Sequence, residues 1–195
     1  MALKLITDAS GPLVTAAEIK RHIRAVDFSD DDDYLQALAG VAANHVDGPE
    51  PAWLGRSLAE RQWQLILDGF PADKCSRIAL PLPPLRSVDT VEYVDIDGTA
   101  QTIADFREFG VQSTNSTGFL LPAFGSTWPD TRSEPEAVKI TFTAGFASVP
   151  PAVKHAILLL VGQWYENREN ASEIALTEIP NGVSALLTPL KIWPS

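Results

Sequence analysis

The hydrophobic positions of the chain follow a helical period near both ends and a strand period in between. The first helical stretch begins at Thr15 and Glu18, whose T-x-x-E spacing is that of a capping box. Its apolar residues recur at three- and four-residue steps: Ala16, Ile19, Ile23 and Val26. The pattern therefore predicts a first helix with one buried face.

The second helical stretch opens on an acidic run: Asp30, Asp31, Asp32 and Asp33. Ser29 is a suitable N-cap, and negative charge near a helix N-terminus is favoured by the helix dipole. The residues expected on the buried face are Tyr34, Leu35, Leu38, Val41, Ala42 and His45 or Val46. Gly48 and Pro49 end the helix. Two short helices with a short link predict an antiparallel helical hairpin.

The stretch from 58 to 145 changes to the alternating period of strands. The apolar members of the two clearest strands alternate with polar residues: Trp63, Leu65, Leu67, Val138, Ile140 and Phe142. Residues 80–85 are rich in proline, which predicts an extended segment outside a sheet. Asp97 and Gly98 form a strong hairpin signal. Further short strands are predicted within 101–103, 106–111 and 119–121.

The helical period returns at Pro150 and Pro151, which are tolerated in the first turn of a helix. The inner face of this helix is formed by Val153, Ala156, Ile157, Leu160, Val161 and Trp164. Leu158 and Leu159 make the helix apolar nearly all round, as in helices that are central to a core or that contact a neighbouring subunit. Leu158 and Leu159 are therefore candidate interface residues.

A short last helix is predicted over residues 180–187, followed by a tail over residues 190–195. Ile192 and Trp193 in this tail have no polar reason to face water, and aromatic anchors commonly carry interface energy. Ile192 and Trp193 are therefore candidate interface residues as well.

These elements predict an α+β fold. A mainly α-helical core is expected to form from both chain ends, with a small antiparallel β region inserted between them. The predicted segments are an N-terminal helical hairpin (1–48), a linker (49–57), a β-rich insertion (58–146), C-terminal helices that complete the core (147–189) and the tail (190–195).

The composition argues against several classes of protein. The 195 residues are 45% hydrophobic, as in a packed globular protein, and the longest apolar run, 156–161, is far too short to span a bilayer. No signal peptide is visible, and Cys75 has no partner for an intrachain disulfide, which favours a reducing cytosol. The net charge of −10 argues against a protein that grips nucleic acid.

Candidate chemistry is sparse. His22, His45 and His155 are dispersed and predict no metal site, and no motif for catalysis or cofactor binding is present. Asp95, Asp97 and Asp105 are better explained as turn residues than as glycosidase carboxylates. A carbohydrate-binding platform remains an alternative to core packing for the aromatic residues Trp63, Tyr93, Phe119, Phe124 and Trp128.

The order of several short motifs resembles the head–tail connector, or adaptor, family of long-tailed bacteriophages, prophages and gene transfer agents. The resemblance runs from about Thr15 to Pro189. The matching pieces include Leu54-Gly55-Arg56-Ser57-Leu58, Gln62-Trp63, Leu67-Asp68-Gly69-Phe70-Pro71, the Pro-rich residues 80–85, Thr143-Ala144-Gly145, Trp164-Tyr165-Glu166-Asn167-Arg168-Glu169 and Leu186-Leu187. Residues 48–53 look longer and richer in proline than the family pattern.

The resemblance implies a structural virion protein without enzymatic activity or cofactor, made in the cytoplasm of a bacterial host and located at the head–tail junction. Identical subunits would form a ring below the portal protein, tail-completion or neck proteins would dock on it, and DNA would pass through it without sequence-specific binding. An acidic lumen suits that passage, which makes the four aspartates 30–33 candidate channel-facing residues. The alternatives are another neck or tail-terminator protein, a carbohydrate-binding module or a cell-wall hydrolase.

Overall fold

A computed structural model describes residues 1–25, 30–49, 52–114, 116–167 and 181–193. The chain divides into two compact units. One unit, called here the β unit, is formed by Met1–Ala9 and Ala59–Ala147. The other, called the helical unit, is formed by Ser10–Leu58 and Ser148–Ser195. The chain therefore passes from the β unit to the helical unit, back to the β unit, and finally to the helical unit again.

The β unit contains two antiparallel sheets. Its strands are β1 (Ala2–Thr7), β2 (Arg61–Leu67), β3 (Ile78–Leu80), β4 (Leu85–Val94), β5 (Ala100–Thr102), β6 (Phe106–Phe109), β7 (Gly118–Pro122) and β8 (Val138–Ala144). The larger sheet has the strand order β1-β2-β8-β4-β5, and the smaller one has the order β3-β7-β6. Residues 81–84 of the proline-rich segment connect a strand of the smaller sheet to one of the larger sheet.

Both sheets share one apolar core. In the larger sheet Trp63 lies opposite Phe142 and Leu65 lies opposite Ile140, and all four side chains are buried. The smaller sheet contributes Ile78, Leu80 and Leu120 to the same cluster. The strict in–out alternation along β8 explains this arrangement, because side chains of successive strand residues point to opposite faces.

The helical unit is organised around one helix. Among its described residues the helices are α1 (Ala16–Ile23), α2 (Asp32–Val46), α3 (Pro151–Glu166) and α4 (Asn181–Leu187), followed by a 3₁₀ turn (Thr188–Leu190). The helix α3 contacts α1, α2 and α4. Its buried residues are the six that the helical period predicts: Val153, Ala156, Ile157, Leu160, Val161 and Trp164.

The expectation of a mainly α-helical core with a small β insertion is wrong. In the part of the chain that the structure describes, helices and strands contain nearly equal numbers of residues, and the strands lie in two antiparallel sheets. The physical reason is that the inward-facing residues of both sheets, together with the buried Trp128, complete an apolar cluster of their own. The strand Ala2–Thr7, for which the sequence pattern predicted no element, adds an edge to the larger sheet.

Smaller differences concern the second helix. Tyr34 and Val41, expected on its buried face, are exposed, whereas the smaller Ala39 is buried beside Leu35 and Ala42. Small residues are favourable where two helices pack closely against each other. The hydrophobic period marks the apolar positions but takes no account of side-chain size. The proposed N-cap Ser29 lies outside the described residues.

Candidate assembly surfaces

Two carboxylates of the acidic run 30–33 form contacts within the helical unit, and the other two are exposed. Asp31 accepts a hydrogen bond of 2.7 Å from the hydroxyl of Tyr165, and Asp32 forms an ion pair of 3.0 Å with Lys20. Asp30 and Asp33 are exposed. Two of the four candidate channel residues therefore also stabilise contacts among α1, α2 and α3, and a position of all four on the channel stays a prediction.

The start of α1 is held by the capping box that the sequence indicates. The backbone amide and hydroxyl of Thr15 donate to the carboxylate of Glu18 over 2.7 Å and 2.9 Å, and the amide of Glu18 donates to the Thr15 hydroxyl over 3.3 Å. Lys154 also donates to this carboxylate over 3.0 Å. These donors, the backbone amide of Thr15 first, lower the pKa of Glu18 to about 2.

The two candidate leucines of α3 are only partly covered by their own subunit. Leu158 and Leu159 are half-buried, while the residues on either side of them are buried. Leu159 also lines a cleft of about 400 Å³ together with His22, Gly162 and Val183. The helix thus leaves part of its apolar surface available to another molecule.

The tail is attached at one residue and exposed at the next. The amide of Ile192 donates a hydrogen bond of 3.0 Å to the carbonyl oxygen of Leu54, and the side chain of Ile192 is half-buried. The side chain of Trp193 is 67% exposed. The ammonium group of Lys191 lies 4.6 Å from the ring centre of Trp53 and 4.8 Å from that of Trp193. The described part of the tail therefore presents one aromatic ring to the surroundings.

One exposed surface in the β unit was missed by the sequence analysis. It is the outer face of the smaller sheet, called here the Arg–Phe face. It consists of Ala79, Arg107, Phe109, Phe119 and Leu121, together with Arg77, which directly precedes β3 and lies over the ring of Phe119. Phe109 and Phe119 stack with their ring centres 5.1 Å apart. The signal for this face in the sequence is the alternation of side chains along β3, β6 and β7. These strands are too short for that alternation to fix their register, and therefore the face on which each side chain lies.

The chemical alternatives find little support in the described residues. In that part of the chain no three His, Cys, Asp or Glu side chains are grouped so that they could hold a metal ion. Trp63 and Trp128 are buried, and Trp128 donates its indole N–H to the carbonyl oxygen of Ser76. A sugar platform built on these tryptophans is therefore excluded. Nor is any described helix both long and apolar enough to cross a membrane.

Comparison with known proteins identifies the class of this fold. No protein-family model matches the chain, and no curated protein matches its sequence. A structure described as the virion of a native gene transfer agent (GTA) particle contains a similar chain, with a TM-score of 0.68 and 25% identity. The neck of an empty GTA particle, computed with C6 symmetry, contains one with a TM-score of 0.67 and 25% identity. Both matches cover 100% of this chain and 97% of the other.

A third match, to the neck of a native GTA particle computed with C12 symmetry, has a TM-score of 0.66 at 23% identity and the same coverage. The fold is thus one that occurs in proteins of GTA virions and their necks. Within that class, the chain is similar over its whole length to neck proteins of gene transfer agents, which confirms the resemblance drawn from the sequence motifs.

Proposed function

We propose that the protein is a head–tail adaptor, a structural subunit of the neck of a gene transfer agent or phage-like particle. The observation that carries the proposal is the similarity, over the full length of this chain, to proteins in GTA necks and virions. The site of action is accordingly the head–tail junction of the particle. The half-buried Leu158 and Leu159 and the exposed Trp193 supply apolar surface for assembly contacts.

The subunits form an oligomeric ring. A similar chain occurs in a neck computed with C6 symmetry, and we propose that the number of subunits in the ring is a multiple of six here. In this proposal, one face of the ring contacts the portal protein and the other receives a tail-completion or neck protein. DNA passes through the ring without sequence-specific binding, in keeping with a net charge of −10.

The proposed role requires no catalysis, and we propose that the protein is not an enzyme. The similar chains occur in structural assemblies. The carboxylate of Asp95, which the sequence pattern assigns to a turn rather than to a glycosidase site, accepts hydrogen bonds from the amides of Asp97 and Thr99 and from the side chain of Gln101. That geometry is the turn-forming role of an aspartate.

Negative-stain electron microscopy of the full chain, mixed with the portal protein from the same particle, tests the proposal. We expect ring-shaped density on one end of the portal, and none when an unrelated acidic protein of the same size replaces the chain. Binding to the tail tube with none to the portal would instead assign the protein as a tail terminator. Failure to bind either partner would refute a role at the head–tail junction.

A further inference from the structure

The outer faces of the two sheets in the β unit differ in chemistry. The larger sheet carries polar side chains that bond to one another. Gln62 donates to Asp89 over 2.8 Å, Thr143 donates to the same carboxylate over 3.2 Å, and Gln64 donates to Thr141 over 3.3 Å. This surface satisfies its own hydrogen-bonding groups, as expected of a face exposed to solvent.

The smaller sheet carries a different set of side chains on its outer face. Phe109 lies opposite Phe119, which lies opposite Ala79, and Arg107 lies opposite Leu121. Glu108 alternates to the other face, where it lies opposite the buried Leu120. The Arg–Phe face therefore has no carboxylate, although the chain as a whole contains 25 acidic residues against 15 basic ones.

The two arginines of this face are placed against its aromatic rings. The guanidinium carbon of Arg77 lies 5.5 Å from the ring centre of Phe119, and that of Arg107 lies 5.9 Å from the ring centre of Phe109. Arg107 also donates to the carbonyl oxygen of Pro122 over 2.9 Å. Within the described part of the chain neither guanidinium has a carboxylate within ion-pair distance.

This composition is that of a protein interface. Arginine and aromatic residues are enriched in the buried centres of interfaces and among the residues that carry most of the binding energy. Phe109 is 38% exposed in the isolated subunit, an unusual position for a phenylalanine that stacks on a second ring. Stacking holds both rings in one orientation, so less side-chain freedom is lost when a partner covers them.

Charge indicates which partner fits. Each subunit carries a net charge of −10, so neighbouring copies repel one another unless the contact between them joins unlike charges. A ring of identical subunits also needs a contact between two different surfaces of the same chain. The Arg–Phe face supplies a positive and apolar surface, and carboxylates elsewhere on the next copy supply the negative one.

We propose that the Arg–Phe face docks a carboxylate-bearing surface of a second copy of this chain in the assembled ring. The inference rests on the proposed function, because it names the subunit contact of the adaptor ring. In the docked state the arginines pair with the neighbour's carboxylates, and the two phenylalanine rings are covered. Both interactions favour closure of the ring over binding of isolated subunits to the portal.

The test replaces both arginines, as Arg77→Glu with Arg107→Glu, and counts subunits per portal by electron microscopy and sedimentation velocity. The wild-type chain is expected to close complete rings, and the double variant to need at least tenfold more protein for the same occupancy. The control is Lys74→Glu with Lys139→Glu, which changes the net charge equally at cations that lie outside the face and already have exposed ion-pair partners. The control should assemble as the wild type does.

Several outcomes would overturn the proposal. Normal ring closure by the double variant removes the Arg–Phe face from the subunit contact while leaving the adaptor function intact. Absence of rings with the wild-type chain removes both proposals. Arginine-dependent binding of a short single-stranded oligonucleotide, with ring closure unaffected, would assign the face to nucleic acid instead. Circular dichroism checks that each variant folds. If the double variant does not fold, Arg77→Glu alone replaces it, because the side chain of Arg77 is exposed and forms no hydrogen bond to the backbone of the described residues.

Discussion

Glu18 at the start of α1 and Lys154 in the first turn of α3 form an ion pair of 3.0 Å. The same carboxylate closes the capping box with Thr15. The side chain of Glu18 therefore stabilises the start of α1 and also joins α1 to α3 through a residue 136 positions further along the chain. The helical unit, assembled from two distant parts of the sequence, depends on contacts of this kind.

The first prediction concerns acid stability. Because the folded state lowers the pKa of Glu18 from its usual 4.5 to about 2, its contribution is fully present above pH 4.5 and is lost as the pH falls towards 2. Glu18→Gln should lower the free energy of unfolding at pH 7 by about 1 kcal/mol, the typical value of a cap. Urea titrations should also show a shallower loss of stability between pH 4.5 and 2. Glu166→Gln, which removes an exposed carboxylate from the other end of α3, should change neither quantity by more than about 0.5 kcal/mol.

The second prediction concerns the half-buried leucines. Leu159→Asp, alone or with Leu158→Asp, places charge on a surface that we expect a neighbour or the portal to cover, so assembly on the portal should fall by at least tenfold. Ala37→Asp adds a charge at an exposed position of α2 and serves as the control. Equal portal occupancy by the leucine variants and the control would remove these residues from the assembly surface.

The third prediction concerns the tail. Trp193→Ala should leave the thermal stability of the free protein nearly unchanged, because the ring is mostly exposed, but should reduce assembly into particles. Truncation after Pro189 should also leave the fold intact, with a small loss of stability from the missing bond between Ile192 and Leu54. Differential scanning fluorimetry and particle yield measure the two effects. A normal yield from the truncated chain would contradict the proposal that this segment is an assembly contact.

The fourth prediction separates the acidic residues by role. Asp30→Lys with Asp33→Lys changes exposed carboxylates, and if these face the channel, DNA ejection should slow while assembly stays normal. Asp31→Asn with Asp32→Asn should instead lower the melting temperature, because it disturbs the contacts with Tyr165 and Lys20. Unchanged ejection kinetics in the first variant would leave these aspartates with their structural role at the helix start only.

The fifth prediction concerns the packing of the smaller sheet. A Cβ added at Gly118 would lie 2.5 Å from a methyl carbon of Leu85 and 2.7 Å from its Cβ. Gly118→Ala should therefore destabilise the β unit by roughly 1–3 kcal/mol, the usual cost of overpacking a core. Gly125→Ala also adds a methyl group, but in a loop where no atom lies within 4 Å. Gly125 has a positive φ of 78°, so a modest loss from backbone strain is expected there, smaller than at Gly118. Equal losses at the two positions would show that the close approach of Gly118 to Leu85 is not a core constraint.

The sequence by itself determined the local elements and the class of protein. The capping box of Thr15 and Glu18, the six buried residues of α3 and the alternation in β2 and β8 follow from periods and spacings that involve neighbours along the chain. The ordered motifs also carried the resemblance to head–tail connectors, which the solved GTA structures confirm. Such signals are local, and they need no knowledge of which segments meet.

Only the tertiary structure decided how these elements share their cores and surfaces. Pairing of β7 with both β3 and β6 brings Arg77 and Arg107 onto one face, and the register that places them there depends on contacts between separate strands. Likewise, only the packed helices show that Asp31 bonds to the hydroxyl of Tyr165 and that Asp32 pairs with the ammonium of Lys20, whereas Asp30 and Asp33 are exposed. The strands form a core of their own because the inner faces of two sheets can cover each other, which no single segment of the sequence expresses.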